Sequence, residues 1–256
     1  MQDKGTQGGA GNGSAAKPPL PLFYRAPEPV HEQRFAGMGV RKAGDYSFAA
    51  SAHAIPLHMQ EFRFAAAHYP IIFSDDETAT PLAIMGLREG RNLFIGADGR
   101  WADGCYLPAY VRRYPFAIGP GPKPEEPLLY LDRGSDLVVD LKEVPDADPL
   151  FDGSAPAPRT QEALRLCGAF QQQTPLTQTF LDALMQNELL TAKEVRLDLP
   201  GGKHQNLTGL RLIDEDKFNA LSDEVFLSWR KQGWIAAVYW HWASMDNLRR
   251  LVDRAG

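Results

Sequence analysis

The segment from Gly99 to Phe116 reads GRWADGCYLPAYVRRYPF and concentrates aromatic rings, prolines, glycines and arginines in a short length of chain. Its rings bury a large apolar area, whereas its prolines and glycines fix turns that a regular helix or strand does not tolerate. The sequence therefore predicts an irregular, ordered segment in the core, around which the rest of the chain is organised. This segment would deliver Arg112 and Arg113 to a defined place.

The two arginines are adjacent, so in a strand-like or irregular backbone their side chains point to different sides. The neighbouring rings leave little solvated room for both, and at least one guanidinium is expected to be partly buried and paired. A structural arginine would bind an acidic group or backbone carbonyls. The other, framed by Trp101 and Tyr106, would receive the carboxylate of a peptide or substrate in bidentate geometry. The candidate binding residues are Arg112, Arg113, Trp101, Tyr106, Tyr110 and Tyr114.

Composition restricts the class of protein. The chain has 256 residues, 44% of them hydrophobic, and a net charge of −5 without a run of like charge. That length and apolar content suffice for a sizeable core, and the charge lacks the basic footprint of a nucleic-acid binder. We expect a soluble protein without a nucleic-acid partner.

Compartment and anchoring are inferred from two further features. The two cysteines, Cys105 and Cys167, are far apart, which is typical of a reducing compartment rather than of a disulfide scaffold. The N-terminus lacks the apolar core of a secretion signal, and no apolar run approaches the length of a membrane span. A cytoplasmic location without a membrane span is the expectation.

Hydrophobic periodicity predicts strands in the first half of the chain. Brief apolar or alternating runs separated by turn residues indicate an antiparallel meander, interrupted by one short helix over 58–68. The predicted strands cover 46–57, 71–73, 81–87, 92–95, 128–131 and 137–141. Before them, residues 1–19 have the composition of a disordered tail, and 20–30 resemble an extended arm whose rings dock on the body.

The last third reads as mostly helical. One helix opens near Thr160 and a second at Thr174-Pro175, and a hairpin is predicted from 195–199 and 207–213. A helix capped by Ser222 and ended by Gly233 follows, and then an apolar helical stretch that breaks near Ser244. The predicted fold is therefore α+β, with a largely antiparallel sheet from residues 46–141 packed on helices from 160–252. The predicted domain covers 20–252, with a possible internal boundary near 144–158.

Metal and cofactor chemistry find little support in the sequence. His53, His58, His68 and Glu61 lie close together, but their spacing matches no standard zinc motif, so ordinary packing is favoured over ligation. We predict no metal site, no cofactor and no catalytic residue.

Four segments of the sequence resemble a known protein family. They are YPIIF (69–73), LREGRNLFI (87–95), YLPAYVRRYPF (106–116) and the ending 221–251. Together they resemble the SapC family of bacterial proteins over most of residues 20–252, although the Trp-rich YWHW at 239–242 departs from what we expect of that family.

The resemblance implies a context rather than a reaction. The family takes its name from a surface-layer protein secretion locus, and its genes lie near those for flavin-dependent tryptophan halogenase-like proteins, cupin-like proteins and TonB-dependent receptors. It supplies no catalytic residues. An accessory or binding protein with a protein or peptide partner is therefore the leading hypothesis. An enzyme with a dispersed active site and a purely structural or oligomer-forming protein are the alternatives.

Overall fold

The computed structural model describes residues 20–123 and 125–255, so the tail predicted at 1–19 lies outside the described residues. Short strands and helices alternate irregularly up to residue 156, and long elements follow. The strands are β1 (Pro27–Pro29), β2 (Met38–Val40), β3 (Ala54–Pro56), β4 (Ile71–Ser74), β5 (Pro81–Ile84), β6 (Phe116–Gly119), β7 (Leu128–Asp132), β8 (Val138–Asp140), β9 (Asp148–Pro149), β10 (Phe151–Asp152), β11 (Ala155–Pro156), β12 (Leu190–Leu199) and β13 (Lys203–Ile213). The helices are α1 (Glu32–Phe35), α2 (Phe62–Ala65), α3 (Ala109–Arg112), α4 (Pro158–Gln186), α5 (Glu215–Asn219), α6 (Asp223–Gln232), α7 (Trp234–Ser244) and α8 (Asn247–Ala255).

The α+β fold class is confirmed, and every paired strand in the described residues is antiparallel. The strands form four separate sheets rather than one continuous meander. Their orders are β1-β7-β6, β8-β2-β9, β10-β11 and β12-β13-β4-β5-β3. The five-stranded sheet includes the long hairpin β12–β13, which therefore extends the sheet of the first half with strands from the last third.

One face of the five-stranded sheet packs on helices. Phe73 on β4 contacts the ring of Phe62 on α2 at 6.3 Å and that of His241 on α7 at 5.3 Å between ring centres. Phe180 from α4 completes this fully buried cluster. Because side chains alternate along a strand, Ile72 on β4 faces the opposite side of the sheet.

A second, smaller hydrophobic cluster lies between the two three-stranded sheets and the first half of α4. Its fully buried members include Phe35, Leu131 and Leu150. Helix α4 contributes Ala163 and Cys167 to this cluster and Phe180 and Leu184 to the larger one. A single helix therefore packs against both.

That continuous helix corrects the prediction of two helices meeting at Thr174-Pro175, since Pro175 lies inside α4. A proline in a helix interior removes one backbone hydrogen bond and normally breaks or kinks the helix. Here Cys167 on one side and Phe180 on the other are both buried, and Thr179 Oγ1 donates to the Pro175 carbonyl at 2.9 Å. Packing at both ends outweighs the local penalty.

Two predicted strands are also wrong, for a shared reason. Residues 46–57 start with a 3-10 helix, Ser47–Ala49, because the Asp45 carboxylate accepts the Ser47 N–H at 2.9 Å, and only β3 remains extended. At 92–95 the Asn92 side chain accepts the Phe94 N–H, leaving a single isolated bridge. In both places a side-chain oxygen accepts a backbone N–H group that would otherwise be free to pair with a neighbouring strand.

Other predictions are confirmed. Residues 58–68 contain a 3-10 turn and α2. The predicted hairpin is present, and α6 has its Ser222 and Gly233 caps. The apolar helix α7 ends at Ser244. The arm at 20–30 docks through Tyr24, which is buried. The predicted boundary at 144–158 contains β9, β10 and β11, and the extent of the domain stays a prediction. No helix within the described ranges combines the length and apolarity needed to cross a bilayer.

Candidate functional site

The short helix α3 places the two adjacent arginines. It begins after Pro108 and is followed by the cis Tyr114–Pro115 bond, so its single turn is bounded by prolines on both sides. Arg112 at its last position is exposed, whereas Arg113 at its C-cap is half-buried. The predicted divergence of the two side chains is therefore present, although the backbone is helical.

Arg113 is held by aromatic rings. The carbon of its guanidinium lies 4.3 Å from the ring centre of Tyr110, 4.1 Å from that of Phe170 on α4, and 5.7 Å from that of Tyr24. No acidic partner is within ion-pair distance among the described residues, and the buried Nε has no hydrogen-bond acceptor there. The predicted acidic or carbonyl partner is thus replaced by cation–π contacts that join the arm, α3 and α4.

The contacts of Arg113 with the aromatic rings predict that replacing it lowers the stability of the protein. A lysine keeps the charge but lacks the planar group that stacks between two rings, so Arg113→Lys should lower the free energy of unfolding by about 1–2 kcal/mol. Urea denaturation measures the change. Arg112→Lys, on the exposed side of α3, is the matched control and should unfold like the parent; equal losses in both variants would contradict the assignment.

Behind Arg113 lies a buried histidine. The ring of His58 is 4.1 Å from that of Phe170, and its Nε2 is 3.2 Å from Thr174 Oγ1. Burial, with a smaller effect of the Arg113 charge, lowers the pKa of His58 to about 4. The imidazole is therefore neutral near pH 7 and belongs to the packing around α4. In residues 20–123 and 125–255, no group of three or more His, Cys, Asp or Glu side chains could hold a metal ion.

Glu61 is a buried carboxylate on the other side of α3. Its Oε1 accepts hydrogen bonds from Tyr106 Oη at 3.0 Å and from the Ala109 N–H at 2.8 Å, and its Oε2 accepts the His58 N–H at 2.9 Å. Burial raises the pKa of Glu61, and the three hydrogen bonds oppose that shift. Since two of the donors begin helical turns, the carboxylate anchors the segment 106–112 to the start of α2.

Arg112 reaches a cleft of about 310 Å³ between α3, the loop 41–46 and the first half of α4. We call it the cationic cleft. Its basic residues are Arg41, Lys42, Arg112 and Arg159, and its acidic residues are Asp45 and Glu162. The cleft thus carries an excess of positive charge on a chain whose net charge is −5.

The groups around the cleft leave Arg112 available. Arg159 Nη1 lies 3.3 Å from Glu162 Oε2, and hydrogen bonds from Ser47 lower the pKa of Asp45. Within the described residues Arg112 makes one weak hydrogen bond, from Nη2 to Tyr106 Oη at 3.4 Å, and its guanidinium carbon lies 5.9 Å from the centre of the same ring. Apolar side chains, among them Phe48 and Tyr114, form the wall. A basic rim over an apolar wall suits an anionic group attached to a less polar body.

The sequence-predicted site residues divide among four places. Arg112 and Tyr114 line the cleft, Arg113 and Tyr110 form the aromatic stack, and Tyr106 bridges Arg112 to Glu61. Trp101 is not among the residues that line the cleft: it is buried and donates from Nε1 to Tyr69 Oη at 3.1 Å.

Three cleft residues were missed from the sequence. Arg41 and Lys42 follow β2, and Arg159 begins α4, more than a hundred residues away. Each looks like an ordinary surface cation when read alone, so no local signal marked them.

The chain matches a known protein family. The family model described as SapC matches residues 30–251, which is nearly the whole sequence, and the chain belongs to the SapC family. Neither a curated protein nor a solved structure matches it significantly.

Proposed function

We propose that this SapC family member is an accessory binding protein whose cationic cleft receives a carboxylate of a peptide or protein partner. The observation that supports it is the convergence of four basic side chains, from three separated segments, over an apolar wall on a net-acidic chain. Cations clustered against the overall charge attract and orient an anionic partner.

The family context suggests which partner. We propose that it belongs to peptide-modifying machinery of the tryptophan halogenase-like kind or to surface-export machinery, and that the encounter takes place in the cytoplasm. Arg112 would supply the bidentate contact, because its guanidinium is exposed and, among the residues that the structure describes, hydrogen-bonds only weakly to Tyr106. Arg41, Lys42 and Arg159 would add attraction at the rim.

An enzyme remains the second candidate, and one observation favours it. The buried Glu61, with its raised pKa, is linked through Tyr106 Oη to Arg112, which is the kind of chain that moves a proton. However, two of the three hydrogen bonds to Glu61 come from the His58 and Ala109 N–H groups at helix starts, and neither Glu61 nor His58 lines the cleft. Binding is therefore favoured over catalysis.

The proposal is tested with a fluorescein-labelled hexaglutamate peptide and fluorescence anisotropy. The parent should bind it, and Arg112→Gln should weaken binding about tenfold, which is the effect of losing one charge-assisted hydrogen-bond pair. The melting temperature should stay unchanged, since Arg112 is exposed. Arg100→Gln is the matched control, because its side chain is 79% exposed and lies outside the cleft.

Two results would count against the binding role. One is equal affinity for hexaglutamate and hexaglutamine. The other is an Arg112→Gln variant that binds hexaglutamate as tightly as Arg100→Gln does. Co-purification of the tagged protein from its native host, followed by mass spectrometry, then identifies the partner, and a retained small-molecule cofactor would favour the enzyme instead.

A further inference from the structure

A second recess lies on the opposite side of the five-stranded sheet, away from the helices. There Ile72, Leu82 and Ile84 form an apolar face, and the outer half of the hairpin, residues 205–210, lies across it. A cavity of about 420 Å³ separates the sheet face from the hairpin and from the loop that follows β5. The cavity therefore borders an apolar sheet face whose residues Ile72 and Ile84 keep only 4% and 8% of their surface exposed, and Leu82 is half-buried.

A neighbouring cavity of about 300 Å³ continues this recess toward the hairpin tip. It is lined by Leu93 and Leu199 and shares Leu87, Arg88 and Gln205 with the first cavity. The Gln205 side chain donates to the Leu87 carbonyl, and so ties the hairpin to the loop where the two cavities meet. We call the two cavities together the hairpin groove; each has the size of a small-molecule site.

The shape of the loop brings two arginines to this groove. A Cβ on Gly86 would come 1.9 Å from the Arg91 carbonyl oxygen, so only glycine allows the loop to double back there. This turn places both Arg88 and Arg91 on the wall of the smaller cavity. Both side chains are exposed, and neither forms an ion pair within the part of the chain that the structure describes.

The charges along the groove are unequal. The smaller cavity has two arginines and no acidic residue in its lining, whereas the larger one has Glu89 beside Arg88 and is otherwise walled mainly by the apolar sheet face and neutral polar groups. One end thus carries the excess positive charge, whereas at the other end Glu89 offsets Arg88 and the sheet contributes its apolar side chains. That polarity matches a molecule with an anionic head and an aliphatic tail.

We infer that the hairpin groove binds a free aliphatic carboxylate, a medium-chain fatty acid, as a single molecule. The carboxylate lies between Arg88 and Arg91, whose planar guanidinium groups suit a carboxylate. The chain passes Gln205 and lies against Ile72, Leu82 and Ile84, where each buried methylene adds to affinity. This site is separate from the cationic cleft and independent of the proposed peptide-binding role.

Isothermal titration of the full chain with decanoate tests the inference. We expect one decanoate per chain, no measurable binding of butyrate, which lacks the tail, and weaker binding of decan-1-ol, which lacks the charge. Hydrogen exchange should show decanoate-dependent protection of residues 86–93 and 203–210. A pentapeptide with a free carboxylate after two leucines is included as the rival occupant.

Variants locate the head and the tail. Arg88→Gln and Arg91→Gln should each weaken decanoate binding about tenfold. Leu207→Trp, which fills the larger cavity, should also weaken decanoate binding, but the loss of affinity on removing either arginine charge should stay the same. Arg196→Gln is the matched control, because Arg196 lies on the same hairpin but outside the groove. Urea midpoints confirm that the variants are folded.

Stoichiometric binding that needs both the chain and the two arginines supports the inference. It is overturned if decanoate does not bind at 1 mM, if the Arg88→Gln/Arg91→Gln double variant binds as tightly as Arg196→Gln, or if decan-1-ol binds as tightly as decanoate. Tighter binding of the pentapeptide than of decanoate also overturns it, since the groove would then be a peptide site.

Discussion

Replacing Asp132 by alanine should cost about 3–5 kcal/mol of the free energy of unfolding, measured by urea denaturation. Asp132 is fully buried at the end of β7. Its Oδ1 accepts the N–H groups of Ala26 at 2.6 Å and Gly134 at 3.3 Å, and its Oδ2 accepts the Arg25 N–H at 3.0 Å and Tyr114 Oη at 2.9 Å. Alanine would remove the acceptor of all four donors, of which Tyr114 Oη is buried and the three backbone N–H groups are partly buried.

The neighbouring Asp136 provides the matched control. It forms an ion pair with Arg25 at 2.9 Å, but its side chain is 95% exposed. Because exposed ion pairs add little to stability, Asp136→Ala should unfold at the parent's urea concentration. If Asp132→Ala were as stable as Asp136→Ala, Asp132 would not be the group that fixes the arm and the segment after α3.

The second large effect is a loss of stability in acid that depends on His241. The ring is fully buried, donates from Nδ1 to the Ile71 carbonyl at 2.8 Å and accepts the Ile213 N–H at Nε2 at 3.1 Å. Only the neutral imidazole makes both bonds. Burial lowers the pKa of His241 to about 4, although the bond to Ile71 acts in the opposite direction.

Because the folded-state pKa is lowered, the unfolded chain takes up the proton first as the pH falls. His241 therefore contributes its full stabilisation above pH 6.5. As the pH falls from 6.5 to about 4, this contribution is lost, and the free energy of unfolding decreases by roughly 3 kcal/mol. His58 acts in the same direction. Urea titrations at pH 7.5 and 4.5 measure the loss.

The variant His241→Leu separates this contribution from the others. It should be less stable than the parent at pH 7.5, because Ile71 and Ile213 lose their partner, yet it should lose less on acidification. Contributions from Glu61 and His58 cancel in the comparison with the parent. His204→Gln, at an exposed position, should keep the parent's profile, and an equally steep loss in His241→Leu would refute the role of His241.

The sequence correctly predicted the features that depend on residues close together in the chain. Ser222 and Gly233 bound α6 because an N-cap oxygen and a left-handed glycine act within one turn, and the sequence shows both. The same rules failed at Pro175, where the decision rests on buried contacts at Cys167 and Phe180 that only the folded chain provides. They also failed at Asn92, whose side chain competes with the strand ladder.

The site was predictable only in part, for a similar reason. The adjacency of Arg112 and Arg113 predicted that their side chains diverge, and the crowding of rings predicted that at least one is partly buried; Arg112 is exposed and Arg113 is half-buried. The ring of Phe170, which stacks on Arg113, and the cations Arg41 and Arg159 come from distant segments. Their approach depends on how α4 crosses the sheets, which periodicity does not encode.

Helix α4 has a consequence for how the protein can be divided. Its first half completes the smaller hydrophobic cluster and its second half the larger one, so a backbone cut before Pro158 removes a wall from both. The fragment 20–157 would expose Phe35 and Phe62 alike, and the remainder would expose Phe180. We therefore expect the two fragments to complement one another and neither of them to fold alone.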